Sequence, residues 1–400
     1  MSTTALTNAR EEFDVFKHRR YLNWAALSPP PRRAASAIRE MVEQACSFRN
    51  GDINSAWHDL SAGVRREAGT LLNAAADDIA IAGSSTTQGV QLAFDSIRPS
   101  KGDNVVTDDL EFPSTGAELQ RWKEKGVEVR IAKSERGEYS ADDMISLMDD
   151  RTKAVVLSSV VWVNGFRPDL KTISAGARER GAFVVADAVQ HMGAMKFDVG
   201  ELRPDFAAAG GQKWMTSPFG AALLYVSRRA VEELSPPYIS LNNTQEPAEG
   251  WAAYFARDDK TAFDTLEPVN NAIKMEYGGW LNHAGMVCLK ESISLINSVG
   301  SENAQRSIRK LSGYLVECLD RFGAEIISPR DEGSASSITT FRVAKGQDEH
   351  SRIVQKLSAA GVDVSCRGSA GLGGIRVSVH HMNNEEDIDT LISSLHAATG

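Results

Sequence analysis

The sequence predicts an open, mostly parallel α/β sheet followed by a smaller α+β unit. Two observations carry this. Short β-branched runs alternate with longer amphipathic patterns through the first part of the chain, and that alternation stops after residue 228, where "EELSPPYISLNNTQEPAEGW" (232–251) is rich in Pro and Asn. Length agrees, because 400 residues exceed one ordinary core.

In chain order, the expected strands are "NVVTDDL" (104–110), "VEVRIAK" (127–133), "AVVLSSVVWV" (154–163), "AFVVADAV" (182–189), "PDFAAAGG" (204–211) and "AALLYVS" (221–227). "STGAELQRWKEKG" (114–126) and "DLKTISAGARERG" (169–181) are the helices between them; the second sets Leu170, Ile173 and Ala177 on one face and stops at a glycine. No helix separates the last two strands, so an antiparallel member is expected there. Helices near 280–298, 301–321 and 348–360 alternate with "AEIISPR", "SSITTFRV", "GVDVSCRG" and "GIRVSVHH". A final helix is capped by Asn383 or Asn384, with acidic residues in its first turn. The chain thus divides into an N-terminal segment (1–30) packing on the small domain, a large domain (31–275) and a small C-terminal domain (276–400).

Composition narrows the function. Net charge is −9, with basic residues only in short pairs, which disfavours a nucleic-acid partner. The longest apolar run, 154–163, is about half the length a membrane span requires. Four scattered cysteines (Cys46, Cys288, Cys318, Cys366) read as reduced thiols, and the polar N-terminus lacks the apolar run of a signal peptide, so a cytoplasmic protein without a membrane partner is expected. His380 and His381 are adjacent; on a strand they would point to opposite faces, so no metal site is expected.

Three features then fall in a telling order. "GSSTTQG" (83–89) sets hydroxyls before a helix, which suits a phosphate or simply caps the helix. "VVADAVQ" (184–190) ends an apolar strand in Asp187, a costly group unless paired: a salt bridge, a helix cap or a protonated cofactor ring nitrogen would answer it. "GGQKW" places Lys213 in apolar surroundings that favour the neutral amine, although a snorkelling lysine would look the same in isolation.

With this order in view, nearly the whole chain resembles the pyridoxal-phosphate enzymes of the class V aminotransferase and cysteine desulfurase superfamily. The motifs are "YLNWAALSPPPR" (21–32), "SSTTQGV", "LEFPS", "VNGFRPDL", "VVADAVQHMGAMKFDVGELRPDF", "GGQKW" and "GIRVSVHHMNNEEDID" (374–389). The resemblance implies fold type I, a large domain with a seven-stranded sheet plus a small α+β domain. It implies pyridoxal 5′-phosphate as cofactor and a homodimer with the active site at the subunit boundary. Lys213 would form the internal aldimine and Asp187 would hold the pyridine nitrogen protonated. Gln190 would bond the phenolic oxygen, Phe112 would stack on the ring, and Ser85, Thr86 and Thr87 would form the phosphate turn with Gln212 and Gly279. Arg376 would grip a substrate carboxylate, with Asn23, Trp24, Asn164 and Tyr277 as further substrate contacts; Trp162, Arg167 and His191 are also pocket candidates.

Departures from the pattern shape the expected reaction. Phe112 stands where cysteine desulfurases carry a histidine, and Cys366 falls several residues early for their nucleophile. Gly210 and Gly279 replace phosphate-binding hydroxyl residues. "FPS" is similar to kynureninase, carbon–sulfur lyases and the isopenicillin N epimerase branch. The expected activity is Cα deprotonation of an α-amino acid or amino-acid conjugate through an external aldimine, followed by β-elimination of the C–S lyase type. A class V aminotransferase, an amino-acid epimerase and a cofactor-free binding or regulatory paralogue are the alternatives.

Overall fold

The computed structural model describes residues 3–47, 53–277, 279 and 281–400. Its strands are β1 (Arg20–Tyr21), β2 (Ile79–Ile81), β3 (Asn104–Asp108), β4 (Glu128–Ala132), β5 (Thr152–Ser158), β6 (Phe183–Asp187), β7 (Phe206–Gly210), β8 (Ala222–Val226), β9 (Glu325–Ile326), β10 (Ile338–Arg342), β11 (Val362–Asp363), β12 (Ser365–Ser369) and β13 (Leu372–Ser378).

The central sheet runs β2-β8-β7-β6-β5-β3-β4. Only β8 is antiparallel to its neighbours in it, so β2 through β7 all end at one edge. Helices cover both faces, which is why β6 and β7 are buried along their whole length and read as continuous apolar runs. The antiparallel partner expected after residue 204 is β8. Two expectations shift. β2 went unforeseen because "IAI" is too short to show a period. The run 154–163 is a strand only to Ser158; beyond it the chain turns, with Ser159 N donating to Asp187 O at 2.9 Å.

Local chemistry fixes the helix ends. Asp169 caps Leu170–Glu179 by accepting from Thr172 N at 3.0 Å, and Leu170, Ile173 and Ala177 are its buried face. The second part of the chain builds the antiparallel sheet β12-β13-β10-β9, under helices Gln347–Ala359 and Glu385–Thr399. Asn384, not Asn383, caps the last helix. β1 pairs in parallel with β11, and Phe13, Trp24 and Ala25 pack among Met195, Trp214, Leu295, Ile338 and Met382, which draws the N-terminal segment into contact with both halves. Among the described residues no helix is long and apolar enough to cross a membrane.

Candidate active site

Strand ends assemble the site, as open α/β sheets require. Asp187 closes β6 beside Ser158, the last residue of β5. Its Oδ1 accepts from Val189 N at 3.0 Å, and no Lys, Arg or His among the described residues forms an ion pair with it. Burial raises its pKa, opposed by the Val189 amide and by the charge of Lys213.

Lys213 follows β7 by one turn. Burial pulls its pKa down to about 8; Asp187 resists this, while Arg376 and Arg367 push the same way as burial. Its Nζ lies 5.5 Å from the centroid of the Phe112 ring. The backbone around it is tied down: Lys213 O accepts from Ser28 Oγ and from Thr216 N, the latter at 2.9 Å. Thr216 holds φ +50, a left-handed conformation that a β-branched residue adopts only under strain. Trp214 Nε1 donates to Gln190 Oε1 at 2.8 Å, and Gln190 Nε2 donates to Ala25 O at 3.0 Å. Gln190 is thereby locked in place with one amide hydrogen to spare.

Phe112 is 37% exposed and meets Trp162 edge-on, with ring centroids 5.6 Å apart. Trp162 O accepts from Arg376 Nη1 at 2.7 Å, and Arg376 Nε reaches Ser365 Oγ at 3.3 Å. Arg376 is buried, yet its Nη2 has no partner, and burial followed by the Arg367 charge lowers its pKa. A buried guanidinium with an unused arm calls for an anion.

At the β2 end, Ser85 caps the helix Thr86–Ile97 by accepting from Gln88 N at 3.2 Å. Thr86 Oγ1 accepts from Gly210 N at 2.8 Å, linking this turn to the Lys213 segment; Thr87 sits in the same first turn. A Cβ at Gly210 would lie 2.2 Å from Gln212 Oε1, so a side chain there would have to displace the end of the Gln212 side chain. The end of Gln212 lies against Gly210, and its buried Oε1 has no partner.

Other expected site residues lie elsewhere. Trp24 is fully buried, donating from Nε1 to Asn383 Oδ1 at 2.8 Å, with its ring packed against Phe13, Phe16, Tyr21 and His380. Asn164 is likewise spent: its amide donates to Gly137 O at 2.8 Å and its Oδ1 accepts from Phe166 N at 3.1 Å. Asn23 bridges to Ser378 and keeps a buried, unpartnered Oδ1. Tyr277 stacks on Tyr238, and Gly279 O is held by Asn242; their contacts within the chain are with a surface loop. His191 is buried edge-on to Phe197, and burial draws it down to about 3. Arg167 faces the 331–334 turn, donating to Gly333 O at 2.8 Å. His380 and His381 lie past the end of β13, so strand alternation does not apply, and their rings are 4.2 Å apart. His380 Nε2 lies 3.1 Å from Trp214 O, and no cluster of three potential metal ligands occurs among the described residues. Cys366 points to the face of β12 opposite Ser365 and Arg367, its Sγ 3.1 Å from Gln347 Oε1. Glu111, passed over in the sequence except as the neighbour of Phe112, buries its carboxyl group here and accepts from Ser158 N.

The Aminotransferase class-V family model matches residues 20–391. A probable cysteine desulfurase of Methanothermobacter thermautotrophicus is 25% identical, over 98% of both chains. An isopenicillin N epimerase of Amycolatopsis lactamdurans is 22% identical, over 99% of both. Among solved structures, the cystine C–S lyase C-DES in complex with cysteine persulfide superposes with a TM-score of 0.83 at 21% identity, covering 94% of this chain and 97% of that one; at that identity the likeness speaks for the fold.

Proposed function

Because the chain belongs to the class V aminotransferase family and takes pyridoxal 5′-phosphate as its cofactor, we propose that Lys213 moves the Cα proton of an α-amino acid or amino-acid conjugate, and that β-elimination of a substituent such as a thiol follows. The residues fit the cofactor. The amides opening Thr86–Ile97, with Ser85, Thr86, Thr87 and Gln212, offer donors to a phosphate. Asp187 is a buried carboxylate that forms no ion pair among the described residues, and Gln190 has one amide hydrogen left for a phenolic oxygen. When bound, the cofactor supplies an aldehyde for amines and an electron-withdrawing ring. Phe112, its ring centroid 5.5 Å from Lys213 Nζ, would lie over that ring and keep water from it. The free arm of Arg376 orients a substrate carboxylate so that its Cα faces Lys213.

The observation that carries this reading is Lys213 itself: an amine drawn to about 8 by burial takes up and returns a proton near neutral pH. The turn of Cys366 away from Arg367 and Ser365 supports elimination over persulfide chemistry. The test is incubation of the reconstituted enzyme with S-substituted cysteines. Pyruvate, ammonia and free thiol should form without a keto acid; strict dependence on a keto acid would replace elimination with transamination, and racemised substrate alone would favour the epimerase.

The reading includes a cytoplasmic homodimer. Phe219, Ile239, Leu241, Phe255 and Phe263 are exposed, and four of these five lie in the stretch between β8 and the Tyr277–Gly279 loop. A partner covering them would bring that loop to its neighbour's phosphate turn, and the four free cysteines suit a reducing compartment. Sedimentation at a monomer's mass would rule the dimer out.

A further inference from the structure

Three carboxyl groups gather at the strand ends: Asp108 at the end of β3, Glu111 just beyond it, and Asp187 at the end of β6. Asp108 spends its oxygens on Leu110 N and on the hydroxyl of Tyr139, both at 2.9 Å. Glu111 Oε1 takes the amide of Ser158, the residue aligned with Asp187 across β5 and β6. Its Oε2 is closed off from solvent and has no partner. No Lys or Arg among the described residues pairs with Glu111 or Asp108; the groups facing Glu111 are two acids and the Tyr139 phenol. An ionised Glu111 would sit dry against both neighbouring charges, which no partner relieves.

We infer that Glu111 is a positioning residue that acts through Asp187: hung from Ser158, it sets a neutral carboxyl group behind Asp187 and keeps residue 187 the anion that faces the cofactor's ring nitrogen. The electrostatics agree. Burial first, then the charges of Asp108 and Asp187, raise the Glu111 pKa well above the carboxylate range; burial also raises that of Asp187, where the Val189 amide and Lys213 oppose it. Lys213 stands by Asp187 whereas no cation among the described residues faces Glu111, so of the two it is residue 187 whose ionised form is favoured. The inference rests on the reading of Lys213 and Asp187 given above. A glutamine at 111 preserves both the acceptor for Ser158 N and the absence of charge. A leucine keeps the absence of charge but removes the acceptor, leaving Ser158 N, at the strand position aligned with Asp187, unpaired and residue 187 free to shift from the ring nitrogen, which favours an unprotonated ring.

Two measurements test this. Infrared difference spectra of the cofactor-free protein at pH 7, wild type minus Glu111→Gln, should show the carbonyl stretch of a protonated carboxyl group; loss of a carboxylate band instead overturns the inference. That result needs no cofactor, so it stands even if the assignment of Lys213 fails. In protein loaded with ring-15N pyridoxal phosphate, wild type and Glu111→Gln should give the same pyridinium signal. Glu111→Leu, or Glu111→Ala should the leucine variant not fold, should lower the protonated-to-unprotonated ratio about tenfold, the consequence of a one-unit change in pKa. Equal shifts in the glutamine and leucine variants, or a shift in neither, would refute the role.

Discussion

Two buried aspartates, Asp187 and Asp387, occupy opposite ends of one scale. Asp387 receives a fork from Arg10 at 2.8 and 3.0 Å, Asn383 Nδ2 at 2.9 Å and Asn384 N at 3.2 Å. Through Asn383 it also holds the indole of Trp24. Asp187 has one backbone amide and no ion pair. Both carboxylates are removed from water, but only Asp387 has its charge answered by a hydrogen-bonded ion pair; Asp187 feels Lys213 without contact. The difference identifies function more reliably than burial does: a saturated network belongs to the fold, and an unsaturated one waits for a ligand. Arg376 Nη2, Gln212 Oε1, Trp162 Nε1 and Glu111 Oε2 are likewise buried without a partner.

The contrast can be broken by substitution. Lys213→Met should reduce ammonia release by about 10³-fold or more, the scale of losing a positioned acid–base, with the circular dichroism spectrum unchanged. Asp387→Asn should do the reverse. It leaves Arg10 without its partner and should cost about 3–4 kcal/mol in urea melts, while turnover per folded molecule holds; Arg10 is partly exposed, which keeps the loss at the lower end. Without cofactor, Lys213→Met should stabilise the fold. The native pKa of Lys213, about 8, lies below its ordinary 10.5, so burying the ammonium is a penalty below pH 8 that fades as pH rises to 10.5. The variant's advantage in thermal or urea melts is therefore roughly 3 kcal/mol at pH 7 and nil above pH 10.5.

Asp187→Asn sharpens the comparison further. Turnover should fall about 10²-fold. Stability should not fall with it, because the native pKa of Asp187 is raised and its ionised form is the costly one; any gain should disappear as pH drops toward 3.8. The smallest effect is expected from Trp24→Phe, which takes the donor from Asn383 Oδ1 and should cost about 1 kcal/mol without altering turnover.

The sequence made the two kinds of residue unequally visible. Asp187, Lys213 and the hydroxyl turn stood out because strand ends and loop composition are local patterns, and the sheet's order of elements follows from the same patterns. Trp24 and Asn164 look like site residues in one dimension, and only their partners, Asn383 for one and Gly137 with Phe166 for the other, show them to be internal braces. Trp162 is visible as a pocket candidate, but the apolar run around it reads as strand past Ser158, where β5 ends. Glu111 carries no local signal at all, since what marks it is Ser158 and Asp187, far along the chain. The histidine pair shows the same limit: its geometry depends on where β13 stops.

The central claim is that the chain's reactive amine is the one enclosed beside Asp187. Borohydride reduction of the pyridoxal-phosphate-loaded protein, followed by peptide mapping, tests it directly. A single reduced pyridoxyl label at Lys213, absent from Lys213→Met, is the predicted result. Label spread over exposed lysines with residue 213 unmodified, or protein left colourless in excess cofactor, would contradict it.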